Sequence, residues 1–124
     1  MIGSDLDGVI AHNILNKADY RPFRLHQYYA QCLPGPLCRM NLDVILTGRR
    51  IHYQKVTQKW LAENEVKYGK LVMYPNKIKK NNVSLAEFKA KAINELGVRK
   101  YYEDDRRIAN YLIKNCPNTE IILV

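Results

Sequence analysis

The sequence predicts a single α/β domain, 1–124, with a five-stranded parallel sheet between two layers of helices. Short β-like segments alternate with helical ones of 10–15 residues, the pattern of a parallel sheet covered on both faces. The 124 residues are one domain's worth. Apolar and aromatic types make up 47% of them, an ordinary globular share that argues against wholesale disorder.

The elements follow in order. Ile2 to Leu6 reads as a first strand, short and weakly apolar because of Gly3 and Ser4. Phe23 to Cys32 reads as a helix that Pro34-Gly35-Pro36 breaks. Leu42 to Leu46 is a strand ending at Thr47-Gly48. Val56, Trp60 and Leu61 fall at helical spacing between Tyr53 and Asn64. Lys70 to Tyr74 is a third strand, stopped by Pro75. Ser84 with Glu87 three residues on has the capping-box pattern, and Leu85, Phe88, Ala92, Ile93 and Leu96 form the buried stripe of the helix that follows. Gly97 sits where a C-cap belongs. Val98 to Tyr102 is a fourth strand, Ile108 to Cys116 a fourth helix closed by Pro117, and Glu120 to Val124 a final strand.

Twenty Lys and Arg against 12 Asp and Glu leave a net charge of +8, which favours anionic partners: phosphorylated metabolites, nucleotides or nucleic acid. Lys77, Lys79 and Lys80 are the clustered basic run, in a polar stretch that reads as a loop. No apolar run approaches the roughly 20 residues that span a bilayer, so no membrane partner is expected. No signal-peptide pattern opens the chain. Cys32, Cys38 and Cys116 are odd in number and form no C-x-x-C pair, so buried free thiols in a reducing cytoplasm are expected.

Asp5 and Asp7 flank Leu6 and precede Gly8. In extended chain, residues at i and i+2 face the same way, so the two carboxylates converge. Such a pair repels by roughly 1 kcal/mol even in water, and a divalent cation or a shared proton relieves it. Ligands of parallel sheets bind beyond the carboxyl ends of the strands. That rule gathers Asp5 and Asp7 after strand one, Thr47-Gly48 after strand two and Glu103-Asp104-Asp105 after strand four into one crevice.

Asp5-Leu6-Asp7-Gly8-Val9, Leu46-Thr47-Gly48-Arg49, Lys89 within Phe88-Lys89-Ala90, and Glu103-Asp104-Asp105 resemble, in order, the four motifs of the haloacid dehalogenase superfamily. The resemblance covers nearly the whole chain as a Rossmann-like core. Thr47-Gly48-Arg49 and the helix after it resemble in particular the 3′-phosphatase domains of polynucleotide kinase phosphatases.

The resemblance implies that Asp5 attacks phosphorus and carries an aspartyl-phosphate, while Asp7 protonates the leaving oxygen and later deprotonates water. It implies Mg²⁺ held by Asp5, the backbone carbonyl of Asp7 and Asp104, with Asp105 as a second acid or outer-shell partner. Thr47 and the Gly48 amide, expected at a helix start, would hold phosphate; Lys89 would neutralise charge on Asp5 and the phosphoryl group, with Lys91 as its rival. Arg49 and Arg50 read either as contacts to a second phosphate or as a solvated helix start. Neither long gap between motifs leaves room for a large cap domain, so an open crevice is expected. The expected activity is a phosphomonoester hydrolase acting on nucleotide or polynucleotide-end phosphates. A phosphatase of small phosphometabolites and a non-catalytic phosphate- or nucleic-acid-binding module are the alternatives.

Overall fold

The computed structural model describes residues 1–12 and 22–124. The elements are β1 (Ile2–Ser4), α1 (Pro22–Gln31), β2 (Asn41–Arg50), α2 (Gln54–Glu63), β3 (Lys67–Tyr74), α3 (Asn82–Leu96), β4 (Lys100–Glu103), α4 (Arg106–Asn115) and β5 (Glu120–Leu123). All five strands are parallel, in the order β3-β2-β1-β4-β5, so the predicted sheet is the observed one. The question of a cap falls in part on residues 13–21, outside the described ones.

Strand order positions the site. From β1 the chain winds outward through β2 and β3, then returns to lay β4 and β5 on the other side of β1. The direction therefore reverses between β1 and β4, the place where open α/β sheets form a ligand crevice at their carboxyl ends. Asp5 leaves β1 there and Asp104 leaves β4 there.

Two cores flank the sheet. Ile45 packs with Leu6, Trp60 and Leu61 on the α1–α2 side, while Val44 and Leu46 pack with Ala86, Ala90 and Ile93 on the α3–α4 side. Each such fully buried aliphatic side chain contributes about 1.5–3 kcal/mol. The Trp60 indole N–H donates to the Cys32 carbonyl at 2.7 Å, tying α2 to the end of α1. All three cysteines are buried free thiols, as expected.

Several local expectations shift. β1 is the central strand, and its low apolar content has a steric reason. A Cβ at Gly3 would lie 3.0–3.2 Å from Val44, Tyr101 and Val98, so the neighbouring side chains already fill the space. The N-cap of α3 is Asn81, not Ser84. Asn81 Oδ1 accepts from the Ser84 amide (2.8 Å) and Ser84 Oγ accepts from the Asn81 amide (2.9 Å), so Ser84 fills the role expected of Glu87. The most deeply buried positions of α3 are Ala86, Lys89, Ala90 and Ile93, while Leu85, Ala92 and Leu96 of the expected stripe are half-buried against the same core. Gly97 is the left-handed C-cap predicted, at φ 70°.

Candidate active site

The turn after β1 is closed by its backbone: the Leu6 carbonyl accepts from the amides of Ile10 and Ala11, both at 2.9 Å. Leu6, Val9 and Ile10 are wholly buried, which fixes the turn from below. Gly8 is at φ 90°, and the Asp104 carboxylate occupies the space where a Cβ would stand. Glycine is therefore required there by backbone conformation and by contact.

Asp5 is buried, and its Oδ1 accepts from the Leu6 amide (2.8 Å) and pairs with Lys89 Nζ (3.1 Å). Lys89 lies in the buried stripe of α3, 1% exposed, and its Nζ also donates to Glu103 Oε1 at 2.8 Å. Burial opposes the charge on Lys89, but Asp5 and Glu103 outweigh it and hold the ammonium above its ordinary pKa. Lys91, the rival, is exposed and pairs with Glu95.

The three consecutive acids after β4 do three different things. Glu103, wholly buried, accepts from Lys89 on one oxygen and from the amides of Asp104 and Asp105 on the other, both at 3.1 Å. Asp104 faces Asp5, one carboxylate oxygen of each lying within 4.8 Å of the other. Asp105 is the N-cap of α4, its Oδ1 accepting from the amides of Arg107 (2.8 Å) and Ile108 (3.2 Å). The acidic cluster is thus Asp5, Glu103 and Asp104, one carboxylate oxygen of each lying within 4.8 Å of the others. The side chains of Asp7, of which only the backbone carbonyl was expected at the metal, and of Asp105, expected as a second acid or outer-shell partner, stand outside this cluster, engaged by Arg49 and by the α4 N-terminus. Burial, then the charges of Glu103 and Asp104, push Asp5 well above the ordinary carboxylate range; burial also raises Asp104. Three carboxylates facing one ammonium make a site short of positive charge, and oxygen donors of this kind suit Mg²⁺. The residues would suit such an ion; Asp5 and Asp104 would hold it, since Glu103 already has both oxygens engaged.

Asp7 meets Arg49 in a two-armed pair, Nε to Oδ2 at 3.0 Å and Nη2 to Oδ1 at 2.7 Å. Arg49 is 1% exposed; Nη1 donates to Thr57 Oγ1 at 3.2 Å, and its guanidinium lies 3.9 Å over the Tyr29 ring. The sequence reading gave Arg49 to a phosphate or to solvent. Its burial became apparent only once α1 and α2 were in place around it.

Thr47 and Gly48 lie inside β2, not at a helix start. β2 stays paired with β3 at Thr47–Met73, then bulges between Thr47 and Arg50, and a 3-10 turn (Ile51–Tyr53) precedes α2. The favourable helix N-terminus expected at this phosphate subsite is therefore absent from Thr47-Gly48. Thr47 is wholly buried, its Oγ1 accepting from the Arg49 amide at 3.0 Å. Asp5, Asp7, Gly48, Arg49, Lys89 and Asp105 are among the residues lining one open cleft of about 210 Å³. His12, His26 and His52 are exposed and take no part in the acidic cluster.

Reasoning from sequence placed Glu103 in the crevice but gave it no role, and it missed the burial of Arg49. For Glu103 a signal existed. It stands two residues after Tyr101, so period-2 alternation puts both on the same face of β4.

No family model matches the chain, and no curated protein matches it. A chain in the structure of the Pnkp1/Rnl/Hen1 RNA repair complex matches it at a TM-score of 0.70 and 20% sequence identity. The match covers 99% of this chain and 41% of that one, so this sequence spans less than half of the neighbour's length. The likeness is one of fold.

Proposed function

We propose that the chain is a Mg²⁺-dependent phosphomonoester hydrolase of the haloacid dehalogenase type, acting through an aspartyl-phosphate on Asp5. The observation that carries the reading is the joint placement of Asp5, Lys89 and Asp104 at the β1/β4 switch point, with Asp7 on the same cleft. A buried carboxylate held by an ammonium and facing a second carboxylate suits nucleophilic attack on phosphorus, which splits one displacement into two easier ones. Bound Mg²⁺ would let the carboxylates and the phosphate approach one another by neutralising their charge.

The chain's own residues supply the rest. Lys89 holds Asp5 Oδ1, which orients the carboxylate, and carries positive charge to the transferring group. Glu103 fixes Lys89 from the far side and anchors the turn that presents Asp104. Asp7 gives a proton to the leaving oxygen and takes one from the water that hydrolyses the intermediate. Proton uptake turns one of its acceptor oxygens into a donor, which displaces an arm of the Arg49 fork. Gly48 and Lys89 line the space for the phosphoryl oxygens, with Thr47 packed behind them.

Nucleotide or polynucleotide ends are the favoured substrate class. The +8 charge, the open cleft and the likeness of fold to a chain of an RNA repair complex support it. Turnover of p-nitrophenyl phosphate with Mg²⁺ is the test. Wild type is expected to hydrolyse it, EDTA to stop it and Asp5→Asn to abolish it. Equal rates for wild type and Asp5→Asn would remove Asp5 from the mechanism.

A further inference from the structure

The loop between β3 and α3 has no regular structure, yet its carbonyls are systematically taken up from inside. Arg50 Nη1 donates to the carbonyls of Pro75 (2.6 Å), Asn76 (2.9 Å) and Ile78 (2.8 Å). Tyr74 Oη donates to the Lys79 carbonyl at 2.7 Å, and Ser84 Oγ reaches the same oxygen at 3.2 Å. Asn76 Oδ1 accepts from the His52 amide at 2.6 Å, tying the loop to the turn before α2. Lys80 Nζ donates to the Gly48 carbonyl at 2.9 Å and lines the cleft.

While these carbonyls are engaged from within, the side chains of Lys77, Ile78 and Lys79 stay exposed, Ile78 by 56%. Fixing a loop costs about 1–2 kcal/mol per residue in backbone entropy. Here the ordered product is an apolar side chain between two cations, all facing water. No Asp or Glu occurs from Val66 to Ala86, nor from Val44 to Ala62 in the adjoining β2 and α2. The stretches flanking Lys77 and Lys79 therefore carry no acid, while the acids of the cleft, Asp7 among them, face Lys80.

We propose that this loop is a docking rim for the sugar–phosphate backbone of a single-stranded polynucleotide whose end enters the cleft at Asp5. Lys77 and Lys79 meet backbone phosphates, Ile78 lies against a base, and Lys80 leads the strand from the rim to the cleft. A polynucleotide fits better than an acidic peptide because the rim alternates charge with apolar surface. Single strands offer that combination of phosphates and base faces. The half-buried Tyr28, which lines the same cleft, adds aromatic surface where the terminal nucleotide would lie. The proposal rests on the phosphatase reading for what happens at the cleft, whereas strand binding is measurable without turnover.

The experiment is fluorescence anisotropy with a labelled, 3′-phosphorylated single-stranded oligothymidylate in EDTA, titrated over a range of salt. The Lys77→Ala/Lys79→Ala variant is expected to bind about tenfold more weakly, with a salt slope shallower by about 1.4, two single-strand contacts at about 0.7 each. Ile78→Ser is expected to weaken binding with the slope unchanged. Both variants should hydrolyse p-nitrophenyl phosphate at the wild-type rate, which shows an intact fold and cleft. Equal oligonucleotide binding by wild type and the double variant would overturn the rim. So would displacement of the oligonucleotide by poly-glutamate at equal affinity. Strand binding lost in the double variant, together with a wild type inert toward p-nitrophenyl phosphate, would support the rim and count against the phosphatase reading.

Discussion

Arg49 shows how much one side chain organises. It joins β2 to the turn after β1 through Asp7, to α2 through Thr57 and to α1 through the Tyr29 ring. A planar, always-charged fork can hold both Asp7 oxygens at once, whereas a lysine ammonium on a flexible stem cannot. Arg49→Lys is expected to lower kcat on p-nitrophenyl phosphate by about ten- to a hundredfold with little change in KM, the effect of misplacing a proton-transfer group. Arg49→Ala should also destabilise the fold, since it removes the bonds to Asp7 and Thr57 and the packing on the Tyr29 ring. An unchanged kcat in Arg49→Lys would show that the fork does not position Asp7.

Among the elements, α3 has the most demanding task, because it carries a charged residue into the core. Ala86, Ala90 and Ile93 seat it on the sheet, and Lys89 enters among them only because Asp5 and Glu103 meet it. The register of its first turn is set by the reciprocal Asn81–Ser84 cap, a few residues from the basic loop and two turns from Lys89. Asn81→Ala is expected to cost about 1 kcal/mol. At this chain length that corresponds to a fall of about 4 °C in Tm, read by circular dichroism. A Tm within error of wild type would assign the start of α3 to packing alone.

For the whole molecule, the acidic cluster couples stability to pH and to cations. Burial, with Glu103 and Asp104 alongside, raises the proton affinity of Asp5 in the folded chain above its unfolded value near about 4. Between those two pKa values the folded state binds more protons than the unfolded one. This contribution is therefore greatest at low pH and is lost as pH rises through the raised pKa. In EDTA, the Tm of Asp5→Asn relative to wild type should increase as pH rises through the raised pKa of Asp5. Saturating Mg²⁺ near neutral pH should raise the wild-type Tm, since a ligand at about 100 times its Kd adds about 2.7 kcal/mol. Asp104→Asn should lose most of that rise. A wild-type Tm that ignores Mg²⁺ would remove the metal from this cluster.

The sequence by itself determined the alternation of strands and helices, the glycine at the α3 C-cap and the placing of carboxylates at strand ends, because each follows from local periodicity and local backbone chemistry. Resemblance to a known family's motif, not periodicity, favoured Lys89 over Lys91. Only the tertiary structure divided labour among Glu103, Asp104 and Asp105, clamped Asp7 with Arg49 and kept Thr47-Gly48 in a strand. Those outcomes depend on which strand lies beside which. With β1 between β2 and β4, Asp5 and Asp7 meet partners distant in sequence. Neighbouring residues on one turn then part company according to what each one faces.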